Sequence, residues 1–414
     1  MDFPTPRKYL PLLAISLVVL AIAGPAWGRA VNEDAKLLAD DGADSDQFGN
    51  SIAVDGGIVL AGSPHDDDKG SGSGSAYLHD AITGAQSFKL VPADGMAGAR
   101  FGHSVAIDRG VALVGARFHG ANKAGSAYLF DALSGAELFK LTADDGTSND
   151  DFGVSVAIDD TLAVIGADGD GINGSYSGSA YVFSASSGTQ LRRLLPDDGA
   201  SGDVFGYSVA ISKGIVAVGA YGSDVNGSDS GAAYLFDAHT GQQLFRLIPA
   251  DGASGDQFGW SIAINNGIVV VGSHFDGLEA GAAYLFDAST GNQLFKLAPD
   301  DLAFDDWFGH AVSISHGTVA VASKQDGDLG SNSGGAYVFD ASNGTQLAKL
   351  LPSDGAQNFY FGQSVAIDNG MIAIGSDAED TSGFGAGAAY TFDITSIVGV
   401  PVAPRSLGSF KRRF

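Results

Sequence analysis

A two-residue element, Phe-Gly, returns seven times in 414 residues: Phe48-Gly49, Phe101-Gly102, Phe152-Gly153, Phe205-Gly206, Phe258-Gly259, Phe308-Gly309 and Phe361-Gly362. Successive copies stand 50 to 53 residues apart. Each is followed by one varying residue and then a run such as Ser208-Val209-Ala210-Ile211. A fixed period of this size is the mark of a repeat architecture. It overrides the two or three separate domains that length alone suggests and points to one closed array.

Each unit reads as four short strands. In the fourth, residues 208–211 alternate as strand A, a turn at Ser212-Lys213-Gly214 follows, and 215–219 form an apolar strand B. A polar loop leads to strand C at 232–237, and a turn at His239-Thr240-Gly241 leads to strand D at 243–248. The glycines stand where hairpin turns need positive φ, and no stretch sustains a helical period. Four antiparallel strands repeated radially make a propeller blade. The expected fold is therefore all-β, a seven-bladed β-propeller. In strand A, Ser208 and Ala210 share one face, and Val209 and Ile211 share the other. A small face meeting a bulky one lets blades stack without voids. The strand C tyrosines, Tyr77 to Tyr390, form a structural ring between blades. The first strand D, at 35–38, precedes the first Phe-Gly, and the last repeat stops at strand C, 388–393. Residues 35–38 are thus expected to pair antiparallel with 390–392, completing the last blade and leaving no open edge.

Phe-Gly, then Gly-Ala or Gly-Ser, then Gly-x-Ala-Tyr-x-Phe, resembles the FG-GAP repeat of the integrin α-subunit propeller, in its shorter bacterial variety. The likeness covers about residues 35–393. It implies a seven-bladed extracellular binding propeller. In that family a calcium loop of the type Asp-x-Asp-x-Asp-Gly-x-x-Asp joins strands A and B. Here the connection is a bare turn, such as Asp108-Arg109-Gly110 or Asn265-Asn266-Gly267, so those calcium sites do not carry over. A further likeness, of Tyr284-Leu285-Phe286-Asp287-Ala288-Ser289-Thr290-Gly291 to the repeat of quinone-cofactor propeller dehydrogenases, fails at Phe295, where those repeats carry a docking tryptophan.

The flanks complete the organisation. Residues 1–28 read as a secretory signal peptide: Arg7 and Lys8, an apolar run over 10–23, and a small-x-small site at Ala26-Trp27-Gly28. That run is short for a membrane span, so the mature chain is expected to be secreted or held at the cell surface with no span of its own. Residues 29–396 hold the propeller, and 397–414 read as a disordered basic tail. The absence of cysteine excludes disulfides and thiolate metal sites. A formal charge of −26 argues against nucleic acid as a partner. The chain reads as a monomer.

Function is expected on one face. Of 48 acidic residues, 33 fall in the B–C and D–A loops, which share a face, here the top. Variable loops on a rigid scaffold are where binding resides. The varying residue after each Phe-Gly begins strand A beside the central mouth; as a candidate ligand ring these are Asn50, His103, Val154, Tyr207, Trp260, His310 and Gln363. An Asp-Gly pair recurs in the D–A loops at Asp41, Asp94, Asp145, Asp198, Asp251 and Asp354, and a second aspartate stands two before the phenylalanine, as at Asp203. Such residues lock turns, and they can also coordinate a hard cation, since calcium takes six to eight oxygens. Candidate Ca2+ ligands are Asp66, Asp67 and Asp68, and Asp168, Asp170 and Asn173. Carboxylates crowding one mouth would repel, and a bound cation or basic partner would relieve this. No H-E-x-x-H or G-x-S-x-G occurs, so the chain is not read as an enzyme. The expected function is binding or adhesion, with an extracellular protein or glycan as ligand. The alternatives are a propeller that carries or supports hydrolysis of an extracellular polymer, and a purely structural envelope component.

Overall fold

Seven four-stranded antiparallel sheets follow one another in the computed structural model, which describes residues 31–120 and 122–398. The leader 1–28 and all of the tail beyond 398 lie outside the described residues. In the fourth blade the strands are Ser208–Ser212, Ile215–Ala220, Ala232–Asp237 and Gln243–Leu247. The first strands of neighbouring blades touch one another all the way round, so strand A lines the axis and strand D is the outer edge. Strand B is buried along nearly its whole length because blades cover both of its faces, which is why it reads as a continuous apolar run. Strand D alternates buried and exposed positions, as an edge strand does.

The Phe-Gly element is the joint between blades. The core divides into seven clusters, each drawn from two consecutive blades. In one, Phe205 sits between Val182 and Leu194 of the third blade and Val209, Ile211 and Tyr234 of the fourth. All seven phenylalanines are buried. Each meets its strand C tyrosine edge-on, with ring centroids 5.5–5.6 Å apart, the geometry that opposed ring quadrupoles favour. The glycine is required as well. Gly206 has φ +93°, and a Cβ there would stand 2.2 Å from the Ser179 carbonyl. Its own carbonyl accepts a hydrogen bond from Ser155 Oγ of the preceding blade at 2.7 Å. Six of the seven junctions carry this bond, and Ser364 to Gly49 closes the ring at 2.8 Å; at the sixth strand A, Ala311 stands in the serine's place.

The N-terminal strand, Ala35–Leu37, completes the seventh blade, in sheet order with the strands Ala388–Asp393, Met371–Ser376 and Ser364–Asp368. Its partners are Ala389–Thr391, one residue earlier than the expected 390–392, with Lys36 opposite Tyr390 and Leu37 opposite Ala389. This is the register of the other blades, where Arg246 opposes Tyr234 and Leu247 opposes Ala233. It buries Leu37 completely. Two one-turn helices, Asp276–Glu279 and Thr395–Val398, are too short to leave a periodic trace in sequence. Among the described residues no helix is long and apolar enough to cross a membrane.

Two stability measurements check this account. Phe205→Ala should cost about 3–5 kcal/mol in denaturant unfolding, the range for a buried aromatic. Deleting residues 31–39 should lower stability far more than deleting 400–414, because only the first opens the ring.

Candidate functional site

In every blade, part of the acidic charge of the top-face loops is paired from within. Strand D places a lysine or arginine opposite the strand C tyrosine, and that cation meets the D–A loop carboxylate in every blade: Lys89 with Asp41, Lys140 with Asp94, Arg193 with Asp145, Arg246 with Asp198, Lys296 with Asp251, Lys349 with Asp301 and Lys36 with Asp354. Asp301 thus fills the seventh Asp-Gly place, though Leu302 follows it. The tyrosine hydroxyl donates to the same groups, as Tyr77 does to Asp41 at 3.0 Å and Asp66 at 2.7 Å. Burial would raise the Asp251 carboxyl, but bonds from Lys296 and Tyr284 more than offset it and hold it below the ordinary range. The second aspartates are turn locks. Asp46, Asp203, Asp256 and Asp306 each accept the backbone N–H three residues earlier at 2.7–2.8 Å.

The candidate metal ligands separate accordingly. Asp66 and Asp68 converge, with Asp41 rather than Asp67 as the third member; the three carboxylates lie within 4.8 Å of one another and could coordinate a divalent ion. In this arrangement the Lys89 ammonium stands among them, at 2.6 Å from Asp41, 2.9 Å from Asp66 and 2.6 Å from Asp68. Asp67 instead accepts the Gly72 N–H at 2.7 Å. Asp170 binds Arg193 and Tyr181, whereas Asp168 turns to Arg117. The Asn173 backbone N–H donates to Ser177 Oγ at 3.0 Å.

The axial mouth has a different chemistry. Of the expected ring, Tyr207, Trp260 and His310 are brought together, with centroids 4.7 Å and 6.0 Å apart in sequence. His103 lies 3.3 Å from Arg117, Asn50 donates to Asp377, Gln363 is half-buried and Val154 is buried. Two further positions per blade reach the same mouth and were missed in the sequence as a set; only Asp168 among them was named, and as a calcium ligand. One follows strand B and includes Arg117, Asp168, Tyr221, His274, Lys324 and Asp377. The other precedes the phenylalanine and includes Arg100, Asp151, Gln257, Trp307 and Tyr360. A backbone bond ties the two loops together, as from Phe118 N to Ala99 O at 3.2 Å. The available signal was the one that marked the ring: variation at a fixed place among nearly invariant neighbours.

These residues divide into two arcs. An aromatic arc spans blades four to six: Tyr207 and Tyr221 at 4.7 Å, Trp260 and His274 at 4.3 Å, His274 and Trp307 at 5.4 Å. A charged arc runs through the remaining blades, with Arg117 bonded to Asp151, 4.0 Å from Asp168, and Lys324 over the Tyr360 ring at 5.1 Å. The mouth therefore carries Arg100, Arg117 and Lys324 against Asp151, Asp168 and Asp377. This corrects the expectation of a repulsive acidic mouth: in each blade at least one of the carboxylates that looked crowded pairs with strand D at the outer edge. Burial, then Arg117, Arg100 and His65, pull His103 down to about 3. Burial brings His274 to about 3 as well. Burial pushes Asp168 up to about 6, against the pull of Arg117.

Buried polar atoms without a protein partner gather here. They include Arg117 Nε, Asp168 Oδ1, Gln257 Oε1, His274 Nδ1, Trp307 Nε1 and Asp377 Oδ1. Each such group costs about 1–3 kcal/mol unless a water or ligand supplies the bond. Because its carboxyl is raised in the folded state, Asp168 contributes stability below its unfolded pKa, and this is lost as pH rises through about 6. Asp168→Asn should therefore melt higher than wild type at pH 7.5, and the difference should vanish at pH 4 in a calorimetric scan.

The chain matches the family description "FG-GAP repeat" at residues 31–79, 85–130, 136–183, 189–236, 242–286, 292–339 and 345–392. No curated protein matches it. Among solved structures it is similar to the computationally designed Ika8 protein, at 18% identity and a TM-score of 0.51, over 88% of this chain and 100% of that one; a likeness at that identity speaks for the fold alone. Seven matched segments, one for each Phe-Gly joint and its blade, show that the chain belongs to the FG-GAP repeat family.

Proposed function

We propose that this chain is a secreted or cell-surface binding propeller that captures an extracellular glycan or protein at the axial mouth of its top face. The observation that carries the reading is the concentration of unpartnered buried polar atoms at that mouth, within a fold that otherwise pairs its polar groups closely. Blade-to-blade variation supports it. Gln47, Arg100, Asp151, Val204, Gln257, Trp307 and Tyr360 all have φ between 51° and 59°, a region costing about 1–2 kcal/mol for a residue with a side chain. Geometry alone would favour glycine at each, and none of the seven is glycine in a chain that has 60 of them. The same conformation recurs at bottom turns such as Lys213, φ 51°; what sets the mouth apart is that its side chains change in chemistry from blade to blade.

Hydrolysis of an extracellular polymer is the second reading, favoured by the convergence of His103, Arg117, Asp151 and Asp168. His103 is a poor general base, because burial and Arg117 hold it near 3. Asp168, at about 6, is the group in the mouth whose acidity suits proton transfer near neutral pH. Calcium belongs at the outer edge on this account, at Asp41, Asp66 and Asp68, where it competes with the Lys89 ammonium.

Screening the secreted protein against glycan and protein arrays tests the reading. A ligand found there should be lost on Trp260→Ala or Tyr207→Ala and retained on the bottom-turn change Lys213→Ala, and prolonged incubation should leave it intact. Binding lost through Lys213 and kept without Trp260 would contradict it. For calcium, Lys89→Ala should gain a larger rise in melting temperature with millimolar calcium over ionic-strength-matched sodium than wild type shows.

A further inference from the structure

Resting on the mouth as ligand site, we infer that it selects an acidic saccharide, with an anionic group over the second blade and the sugar ring against the aromatic arc. Three cations converge on one ring at the charged side. Arg100 Cζ, Arg117 Cζ and Lys123 Nζ stand 5.2, 4.8 and 5.3 Å from the Phe118 centroid. Arg117 is engaged by Asp151. Among the described residues, Arg100 and Lys123 have no carboxylate within 4.0 Å. This stands out on a propeller whose residues 29–396 carry 47 acids and 16 bases, and where the strand D cation opposite each strand C tyrosine is paired with a carboxylate. Like charges gathered without counter-charges favour an anion from outside. Arg117 Nε, buried and unpartnered, adds a donor beside them.

The neighbouring arc fixes the rest of the ligand. Tyr207 and Tyr221 lie within electrostatic range of Arg117 and lead on to Trp260. Half-buried rings of this kind offer an apolar face to the C–H side of a sugar. The unpartnered groups along the arc include a donor, Trp307 Nε1, and acceptors, Gln257 Oε1 and Asp168 Oδ1. A hydroxyl both donates and accepts, so a polyhydroxylated ring satisfies the mixture. A carboxylate and a sulfate ester present the same chemistry to the guanidinium groups.

The test is titration calorimetry of the full secreted chain with three oligosaccharides of equal length: a polygalacturonate, a sulfated galactan and a neutral galactan. The expected result is that at least one acidic probe binds about tenfold or more tighter than the neutral one, roughly 1.4 kcal/mol, and weakens with added salt. Which acidic probe binds identifies the anionic group. The double variant Arg100→Gln with Lys123→Gln, at half-exposed and exposed positions that leave the core intact, should abolish the preference while circular dichroism stays unchanged. Trp260→Ala should weaken the acidic probe as well. Equal binding of the neutral galactan, no binding by any probe, or a preference that survives the double variant would overturn the inference. If the neutral probe binds and is lost on Trp260→Ala, the acidic preference fails while the mouth stands. Binding untouched by both Trp260→Ala and the double variant would sink both.

Discussion

The joint between blades is the interaction on which everything else rests. A phenylalanine buried against two sheets supplies the apolar contact, and the glycine beside it turns its carbonyl to a serine of the preceding blade. Neither half works alone. Without the left-handed glycine, the chain would strike the neighbouring strand C carbonyl; without the phenylalanine, a void would open among Val182, Leu194, Val209 and Tyr234. Repeating the joint around a ring means each blade is held on both sides. The last joint, through Phe48 and Ser364, exists only because the chain's first strand returns to its last sheet.

That rigidity sets what the top face can do. Its outer edge is a belt of strand D cations and loop carboxylates, organised by the strand C tyrosines. Such pairs are partly exposed, and pairs of that kind contribute modestly one by one; their consequence is that each blade's acidic loops already hold a cation of the fold's own. The axial mouth is different. It varies from blade to blade and leaves buried polar atoms unpaired. A scaffold with seven equivalent strand entries has filled them with six kinds of side chain, histidine twice, which is how a symmetric ring can acquire an asymmetric site.

Much of this was legible in the sequence, for physical reasons that can be named. Phe205 and Gly206 announce themselves because a buried joint tolerates little else. The two faces of Val209 and Ala210 follow from strand alternation. Closure was readable because one strand D was missing at the end and present at the start, but the expected register was one residue late; Leu37 needing the core sets it opposite Ala389. The pairing of Asp41 with Lys89 was not read, because the two stand 48 residues apart and the carboxylates were weighed without their cations. Arg117 and His274 were missed, and Asp168 was read as a calcium ligand and not as part of the mouth, because the three share no chemistry; only their common place after strand B unites them. Asp66, Asp67 and Asp68 were read as one set of ligands, but Asp67 accepts the Gly72 N–H and Asp41 enters from another loop.

A high-resolution crystal structure of the unliganded protein tests the central claim most directly. On this account, ordered waters or captured solvent molecules should be found on Arg117 Nε, Asp168 Oδ1, Trp307 Nε1 and Asp377 Oδ1, with Arg100 still at positive φ beside the mouth. Side chains turned into direct bonds with one another, closing the axis with every polar atom paired and no ordered water, would contradict it.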